Sequence, residues 1–315
     1  MHITLPKNPQ YYQTIFLMII LNLGISAYGL YFDYKKFFLV FWTCLILDAL
    51  FLRWQSGKWW YPYSWLNAGF GISFFLRTDI LWLYVLAAFL AISSKYLFRI
   101  QNRHFFNPSN FGVFLTLALF PLLTWTNPLQ WWIFLWNTIW FPFISWLILV
   151  LWLSVVWRVY VWKKINLLWL IIPFVVTHIF LYIFTTNEGF GPSFLKWYTP
   201  SFLIFTFFMI TDPQTVLENR FSRMIYGSSV AIGVYILQFF INENYSTLAS
   251  LFFLSMFLPI IRWLDMYILY KNITYWNVIM IFSLFSAFTL YLYCVYLYGY
   301  PDLVFENRCR QLFCY

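Results

Sequence analysis

The stretch SKYLFRIQNRHFFNPSNFGVFLTLALFP, residues 94–121, joins a short basic loop to an apolar run that begins at Asn107 and Pro108. An Asn side chain accepts hydrogen bonds from the free N–H groups of a first helical turn, and Pro fits the first helical position, so this dipeptide predicts a helix start. A related arrangement, FFMITDPQTVLENRFSRMIYG, occupies residues 207–227. Each stretch therefore indicates a broken membrane helix that meets a cytoplasmic loop.

The composition is that of an integral membrane protein. Of the 315 residues, 63% are apolar, 26% are aromatic and 9% are charged, whereas an ordinary soluble domain has about 25% charged residues. The apolar runs are about 16 to 25 residues long and do not alternate, so they predict helices and not barrel strands. The net charge of +9 falls mainly in short loops, which predicts contact with the lipid bilayer and no nucleic-acid partner.

Eleven apolar runs are candidates for membrane spans, or ten if one short run does not cross. They lie at about 11–30, 37–52, 64–76, 80–97, 109–124, 138–160, 166–184, 199–211, 223–241, 248–264 and 273–298. Basic residues are concentrated after every second run, so the positive-inside rule predicts a multi-pass protein of a bacterial inner membrane, with a cytoplasmic N-terminus and a periplasmic C-terminus. In the tail, 299–315, Cys309 and Cys314 would then lie where a disulfide can form.

Two of the runs, 64–76 and 199–211, are too short to cross about 30 Å of hydrocarbon as straight helices. Both end in the pattern F-F-x-x-T-D, although six letters can recur by chance in a chain with 39 Phe residues. Short spans at matching places in two halves are typical of an inverted repeat with a site at its centre.

The sequence therefore predicts a single transmembrane domain, 1–315. It is divided into repeat one over about 11–124, repeat two over about 138–264, an additional C-terminal helix over about 273–298 and the periplasmic tail.

The same stretches resemble the RnfD/NqrB family, membrane subunits of ion-translocating ferredoxin and quinone oxidoreductases. The loop and helix SKYLFRIQNRHFFNPSNFGVFL, the element FFMITDPQTVLENRFSRMIYG and the short run PYSWLNAGFGISFFLRTD carry the resemblance. The patterns L-R-T-D, S-K and H-x-F-N-P-[ST]-N-F-G are similar to the UnbU-like branch, which is associated with enediyne biosynthesis. The resemblance covers roughly residues 60–230 and implies an all-α fold of two inverted five-helix repeats, like that of urea transporters.

In the redox members of this family, FMN is attached covalently to a threonine in an S/T-G-A-T-type motif. This sequence has no such motif, and the region TTNEGFGPSFLKWY, 185–198, has threonines without the preceding Gly-Ala. The sequence thus argues against covalent FMN. The cofactor is left unknown, with non-covalent FMN or quinone as the possibilities that the resemblance implies.

Six residues in or beside these stretches are candidates to bind a cofactor: Asn67, Lys95, Arg103, Asn107, Thr211 and Asp212. The helix start at Asn107 offers N–H groups and a positive dipole end to a polar or anionic ligand, although capping alone also explains the residue. Lys95 and Arg103 either grip a phosphate group or carry topogenic charge against anionic lipid.

Buried acidic residues call for partners in a membrane protein. Asp212 is expected to cap the following helix, to pair with Arg220 or Arg223, or to take part in a proton relay. Asp48 is expected to pair with Arg53, which follows it in the same run. His178 is a polar residue inside a predicted span and either has a function at membrane depth or is hydrogen-bonded to a neighbouring helix.

No Ser-His-Asp, paired-carboxylate or phosphate-loop constellation occurs in the sequence, and the cysteines form no C-x-x-C pair. Catalysis by side chains and a metal site are therefore not predicted, and any enzymatic role is at most that of an electron-transfer subunit. Three functions remain open: an RnfD/NqrB-like subunit of an electron-transporting complex, a membrane anchor or assembly factor for a secreted periplasmic partner, and a small-solute channel or transporter. The loop 187–193 and the tail are the predicted partner contacts.

Overall fold

The computed structural model describes residues 33–57, 64–100, 102–126, 167–185, 204–212, 214–241 and 243–271, with residue 202 and parts of 13–25. Its helices are α1 (Tyr34–Ser56), α2 (Trp65–Phe75), α3 (Leu81–Leu97), α4 (Pro108–Leu119), α5 (Leu168–Thr185), α6 (Arg220–Leu237) and α7 (Glu243–Lys271). A π-helical segment, Phe205–Met209, precedes α6. Strands β1 (Arg99–Ile100) and β2 (Arg103–His104) form an antiparallel hairpin between α3 and α4.

The prediction of a mostly helical chain is confirmed. Among the described residues, two helices, Tyr34–Ser56 and Tyr245–Tyr267, are long and apolar enough to cross a membrane, and α3, α4 and α5 are apolar but shorter. The predicted spans 138–160 and 273–298 lie outside the described residues, as do the loop 187–193 and the tail with Cys309 and Cys314.

Local sequence signals explain where α1 begins and ends. Asp33 precedes the helix, and its carboxylate accepts hydrogen bonds from the backbone N–H groups of Lys35 and Lys36 at 3.0 and 3.2 Å. Gly57 follows the helix with φ of 69°, and its N–H donates to the carbonyl oxygen of Arg53 at 2.8 Å. An Asp at the N-cap and a left-handed Gly after the last turn are the residues that best satisfy the free groups at the two helix ends.

Hydrogen bonds join the segments that follow the short helices α2 and α4. The backbone groups of Arg77 and Trp125 exchange two hydrogen bonds of 2.9 Å, and the Thr78 hydroxyl donates to the carbonyl oxygen of Leu123 at 2.8 Å. With 11 residues, α2 is about 16 Å long at 1.5 Å per residue. The predicted short run 64–76 is therefore a helix that covers about half of a bilayer's ~30 Å hydrocarbon core.

Two glycines allow very close helix packing. A methyl group at Gly112 of α4 would overlap the carbonyl oxygen of Ala87 and lie 2.8 Å from Cβ of Ala91, both in α3. A methyl group at Gly227 of α6 would overlap the carbonyl oxygen of Leu170 in α5. Only a residue without a side chain permits this approach of one backbone to another.

The outer faces of the helices carry large apolar side chains, while polar side chains lie inside. On α1 the exposed residues recur at every fourth position: Phe38, Trp42, Ile46, Leu50 and Trp54. Similar exposed residues occur on α5 and α7: Ile172, Val176, Phe180, Phe253, Phe257, Ile260 and Leu264. The buried positions include Asp48, His104, Asn107 and Asp212. The core itself is mainly apolar, with fully buried side chains such as Phe70, Ile72 and Phe174, so it is the exposed apolar faces that depart from the pattern of a soluble protein.

Candidate functional site

A cavity of about 50 Å³ lies where α2, the end of α3, the start of α4 and the π-helical segment meet. Its polar lining consists of Gln13, Ser64, Asn67, Lys95, His104, Asn107, Ser109 and Asp212. A water molecule needs about 10–15 Å³ of such space, so the cavity has room for a few waters or one small solute. Four of the six residues that the sequence suggested for cofactor binding, Asn67, Lys95, Asn107 and Asp212, line it together.

Asn107 connects the start of α4 to the π-helical segment. Its Oδ1 accepts hydrogen bonds from the backbone N–H of Asn110 at 3.0 Å and from the hydroxyl of Ser109 at 2.8 Å, and Pro108 is the first helical residue. The predicted capping role is thus confirmed. The amide Nδ2 donates to the carbonyl oxygen of Met209 at 3.1 Å, so the same side chain also holds a residue of the second half of the chain.

We expect Asn107→Ala to lower the free energy of unfolding by about 1–3 kcal/mol, because both the cap and the buried bond to Met209 are lost. Asn107→Asp keeps an acceptor for the cap but removes the amide donor. Equilibrium unfolding in detergent, followed by tryptophan fluorescence, measures the stability of the two Asn107 variants. Ser109→Ala, which removes one bond to Asn107, is the milder control. Wild-type stability of Asn107→Asp would show that the bond to Met209 contributes nothing.

Asn67 extends the same network toward the N-terminal part of the chain. Its Oδ1 accepts from the Thr14 hydroxyl at 2.8 Å, and its Nδ2 donates to Oε1 of Gln13 at 3.1 Å. Gln13 in turn donates from Nε2 to the carbonyl oxygen of Phe208 at 3.3 Å. The residues near position 13, α2 and the π-helical segment are therefore linked by hydrogen bonds along one side of the cavity.

Lys95 forms a buried ion pair with Asp48, so the predicted pairing of Asp48 with Arg53 is wrong. The Lys95 ammonium lies 2.6 Å from Oδ1 of Asp48, whose side chain is fully buried. The Tyr96 hydroxyl donates to the same oxygen at 2.6 Å, and Ser64 donates to Oδ2 at 3.1 Å while accepting from Lys95. Because these residues come from α1, from the N-cap of α2 and from α3, the pair ties three elements together.

Asp212 pairs with His104, and the predicted partners Arg220 and Arg223 are wrong. The His104 Nε2 lies 3.0 Å from Oδ2 of Asp212, with both side chains mostly buried. Arg223 instead donates to the carbonyl oxygens of Leu217 and Glu218, at 2.6 and 2.8 Å.

The predicted capping of the next helix by Asp212 is also wrong. The N-cap of α6 is Asn219, whose side chain accepts from the N–H of Phe221 at 3.0 Å. Asp212 accepts instead from the N–H of Gln214 at 3.1 Å, which forms a local turn at the end of the π-helical segment. The turn between 214 and 219 keeps α6 away from Asp212 and leaves its carboxylate facing the hairpin.

The remaining candidates lie outside the cavity lining. Arg103 forms an exposed ion pair with Glu218 at 3.4 Å, and Thr211 is buried and donates to the carbonyl oxygen of Phe207. His178 packs between aromatic rings, with centroid distances of 5.9 Å to Phe174 and 5.2 Å to Phe202.

The two Thr-Asp copies do not share an environment. Asp212 lines the cavity, whereas the exposed side chain of Asp79 lies 3.6 Å from the ammonium of Lys36. The Lys36 ammonium also donates to the carbonyl oxygen of Thr78 at 2.9 Å. The shared six-residue pattern therefore marks the ends of two short segments but not two equivalent sites.

Within the part of the chain that the structure describes, no group of three or more His, Cys, Asp or Glu side chains could hold a metal ion. The cavity volume of about 50 Å³ is also well below the roughly 300–1,000 Å³ of pockets that bind organic cofactors. No family model matches this chain, and a search of proteins with curated functions found no match.

Proposed function

We propose that this chain is a polytopic inner-membrane protein that moves a small polar solute or ion through the central cavity, as a channel or transporter. We further propose two inverted five-helix repeats, a cytoplasmic N-terminus and an architecture similar to that of RnfD/NqrB membrane subunits. The observation that carries the proposal is the meeting of two short segments from different halves of the chain. Both α2 and the π-helical segment line one polar cavity, and Asn107 bonds to Met209 at its wall.

The distribution of side chains supports the membrane part of the proposal. Apolar residues on the outside of α1, α5 and α7 suit contact with hydrocarbon, and the buried carboxylates of Asp48 and Asp212 are paired with Lys95 and His104, as ionisable groups at membrane depth need to be. Gly112 and Gly227 supply the close helix contacts that are common where lipid surrounds a bundle.

Helix packing supports the repeat. Helices α1 and α3 correspond to the second and fourth predicted spans, and helices α5 and α6 correspond to the seventh and ninth predicted spans. Helix α1 packs against α3, and helix α5 packs against α6. These two contacts are equivalent if each span of repeat one is copied five spans later in repeat two. Short segments at the third and eighth places then face each other, as in transporters with broken helices.

The size and chemistry of the cavity favour a small solute over a redox cofactor. The cavity has room for a few water molecules, and amide and hydroxyl groups from Asn67, Asn107 and Ser109 can replace the water around a small polar molecule. Electron transport by non-covalent FMN or quinone therefore ranks behind solute transport. A flavin absorbance spectrum in the purified protein would reverse this order.

We expect Ala68→Leu to block permeation, because Ala68 lines the cavity and a larger apolar side chain would fill it. Purified protein in liposomes should increase the rate of swelling in isotonic formamide or urea, measured by stopped-flow light scattering, and Ala68→Leu should return that rate to the value for empty liposomes. Ala118→Leu adds the same side chain on the exposed face of α4 and should permeate like the wild type. Wild-type liposomes that swell no faster than empty ones would contradict the proposal.

A further inference from the structure

We propose that the pair of His104 and Asp212 is a proton-binding site of the cavity, and that protons pass through it when the solute moves. This inference rests on the proposed transport function and adds the proton as a second transported species. It follows from the geometry of the pair and from the contacts of the charged groups that surround it.

The pair lies between the two halves of the chain and faces the cavity. His104 comes from β2, just before α4, and Asp212 follows the π-helical segment, with 3.0 Å between Nε2 and Oδ2. Both residues line the cavity, while their neighbour Arg103 is exposed and paired with Glu218 at the surface. The pair therefore lies between an internal space and the exposed side of the hairpin.

Of the other charged groups near the pair, Lys95 is in an ion pair, whereas the buried Arg262 is only partly hydrogen-bonded, since its Nε and Nη1 have no partner among the described residues. Across the cavity, Lys95 is bound to Asp48. From α7, Arg262 donates to the carbonyl oxygens of His104 and Gln214 and interacts with Asp212.

From α6, the buried Tyr226 interacts with Asp212, but a phenol ordinarily loses its proton only near pH 10. An imidazole is the side chain whose ordinary pKa lies between pH 5 and 8. His104 is therefore the side chain at this wall of the cavity whose second ring nitrogen can accept a proton while Nε2 stays bonded to Asp212.

The proton step is simple and balanced. In the neutral pair, the His104 Nε2–H donates to the Asp212 carboxylate, and the other ring nitrogen holds a lone pair. A hydronium ion gives its proton to that nitrogen, which produces water and an imidazolium ion beside the carboxylate. Transfer of the proton to a second water restores the neutral ring. Because the hydrogen bond is stronger in the charged state, proton binding tightens the contact between hairpin and π-helical segment.

Liposomes loaded with the pH dye pyranine and mixed with isotonic formamide, so that the solute moves during the measurement, provide the test. A potassium gradient with valinomycin sets the membrane potential, and dye fluorescence reports proton entry. We expect the wild type to admit protons and both His104→Gln and Asp212→Asn to lose this flux, to the level of empty liposomes. Asp212→Glu, which keeps a carboxylate, should retain part of the flux.

His178→Gln is the matched control, since His178 is the second buried histidine and lies among aromatic rings outside the cavity lining. It should conduct protons like the wild type. Size-exclusion chromatography shows which variants are folded, and formamide swelling of the wild type is measured on the same liposomes.

Proton flux that is lost in His104→Gln and Asp212→Asn but kept in His178→Gln supports the inference. Proton flux that is absent in the wild type, or that survives in both variants, overturns it and leaves solute transport in place. A wild type that passes neither formamide nor protons overturns the proposed function as well. If one variant does not fold, the other variant and Asp212→Glu still decide the matter.

Discussion

Replacement of Lys95 by Met is expected to lower the free energy of unfolding by about 3–5 kcal/mol, the usual cost of removing one partner of a buried ion pair. The Lys95 ammonium is 2.6 Å from the fully buried Asp48 carboxylate. Without it, Asp48 keeps hydrogen bonds from Ser64 and Tyr96 but has no opposite charge beside it. Unfolding by denaturant in detergent, followed by tryptophan fluorescence, measures the change.

Two further variants separate the ion pair from general effects of substitution. Arg53→Gln changes an exposed residue of α1 and should leave stability nearly unchanged. Asp48→Asn added to Lys95→Met removes the uncompensated charge and should recover much of the lost stability. A single Lys95→Met variant as stable as the wild type would mean that Asp48 has another charge partner.

Gly112→Leu is expected to prevent α3 and α4 from packing, with a loss of more than about 3 kcal/mol, at or beyond the upper end for overpacked cores. Even a single methyl group at Gly112 overlaps the carbonyl oxygen of Ala87, and a backbone carbonyl cannot rotate away as a side chain can. Gly112→Ala should therefore also destabilise, by about 1–3 kcal/mol. Size-exclusion chromatography reports the yield of folded protein, and thermal unfolding reports stability.

Ala118→Leu, on the exposed face of the same helix, introduces an identical side chain and should fold normally. Gly69→Ala provides a graded comparison. The nearest atoms to its new methyl group belong to the Phe41 ring, at 3.0 Å, and this ring can move slightly, so the loss should be smaller than for Gly112→Ala. Equal losses for the two alanine variants would contradict the role of the rigid backbone contact.

The helices were predictable because their signals are local. Apolar length gave the positions of α1 to α7, and the dipeptide of Asn107 and Pro108 gave the start of α4. The clustering of Asn67, Lys95, Asn107 and Asp212 followed from the matching of two short runs in separate halves of the chain.

The charge partners were not predictable, because they depend on which helix faces meet. Asp48 and Arg53 are five positions apart in α1 and so do not share a face, since helical neighbours are three or four positions apart. Lys95 reaches Asp48 because α3 packs on α1. His104 becomes the partner of Asp212 only after the hairpin folds back, and a two-residue strand has no sequence signal strong enough to indicate this.

The shortness of α2 has an electrical consequence in the proposed membrane arrangement. A helix of 11 residues leaves about half of the ~30 Å hydrocarbon thickness to polar groups and water. The membrane potential falls mainly across material of low dielectric constant. The electric field is therefore concentrated over the part of the hydrocarbon thickness that polar groups and water do not fill. A unit charge that moves from the cavity across this layer would experience most of the membrane potential, about 2.3 kcal/mol for each 100 mV, over a distance of only about 15 Å.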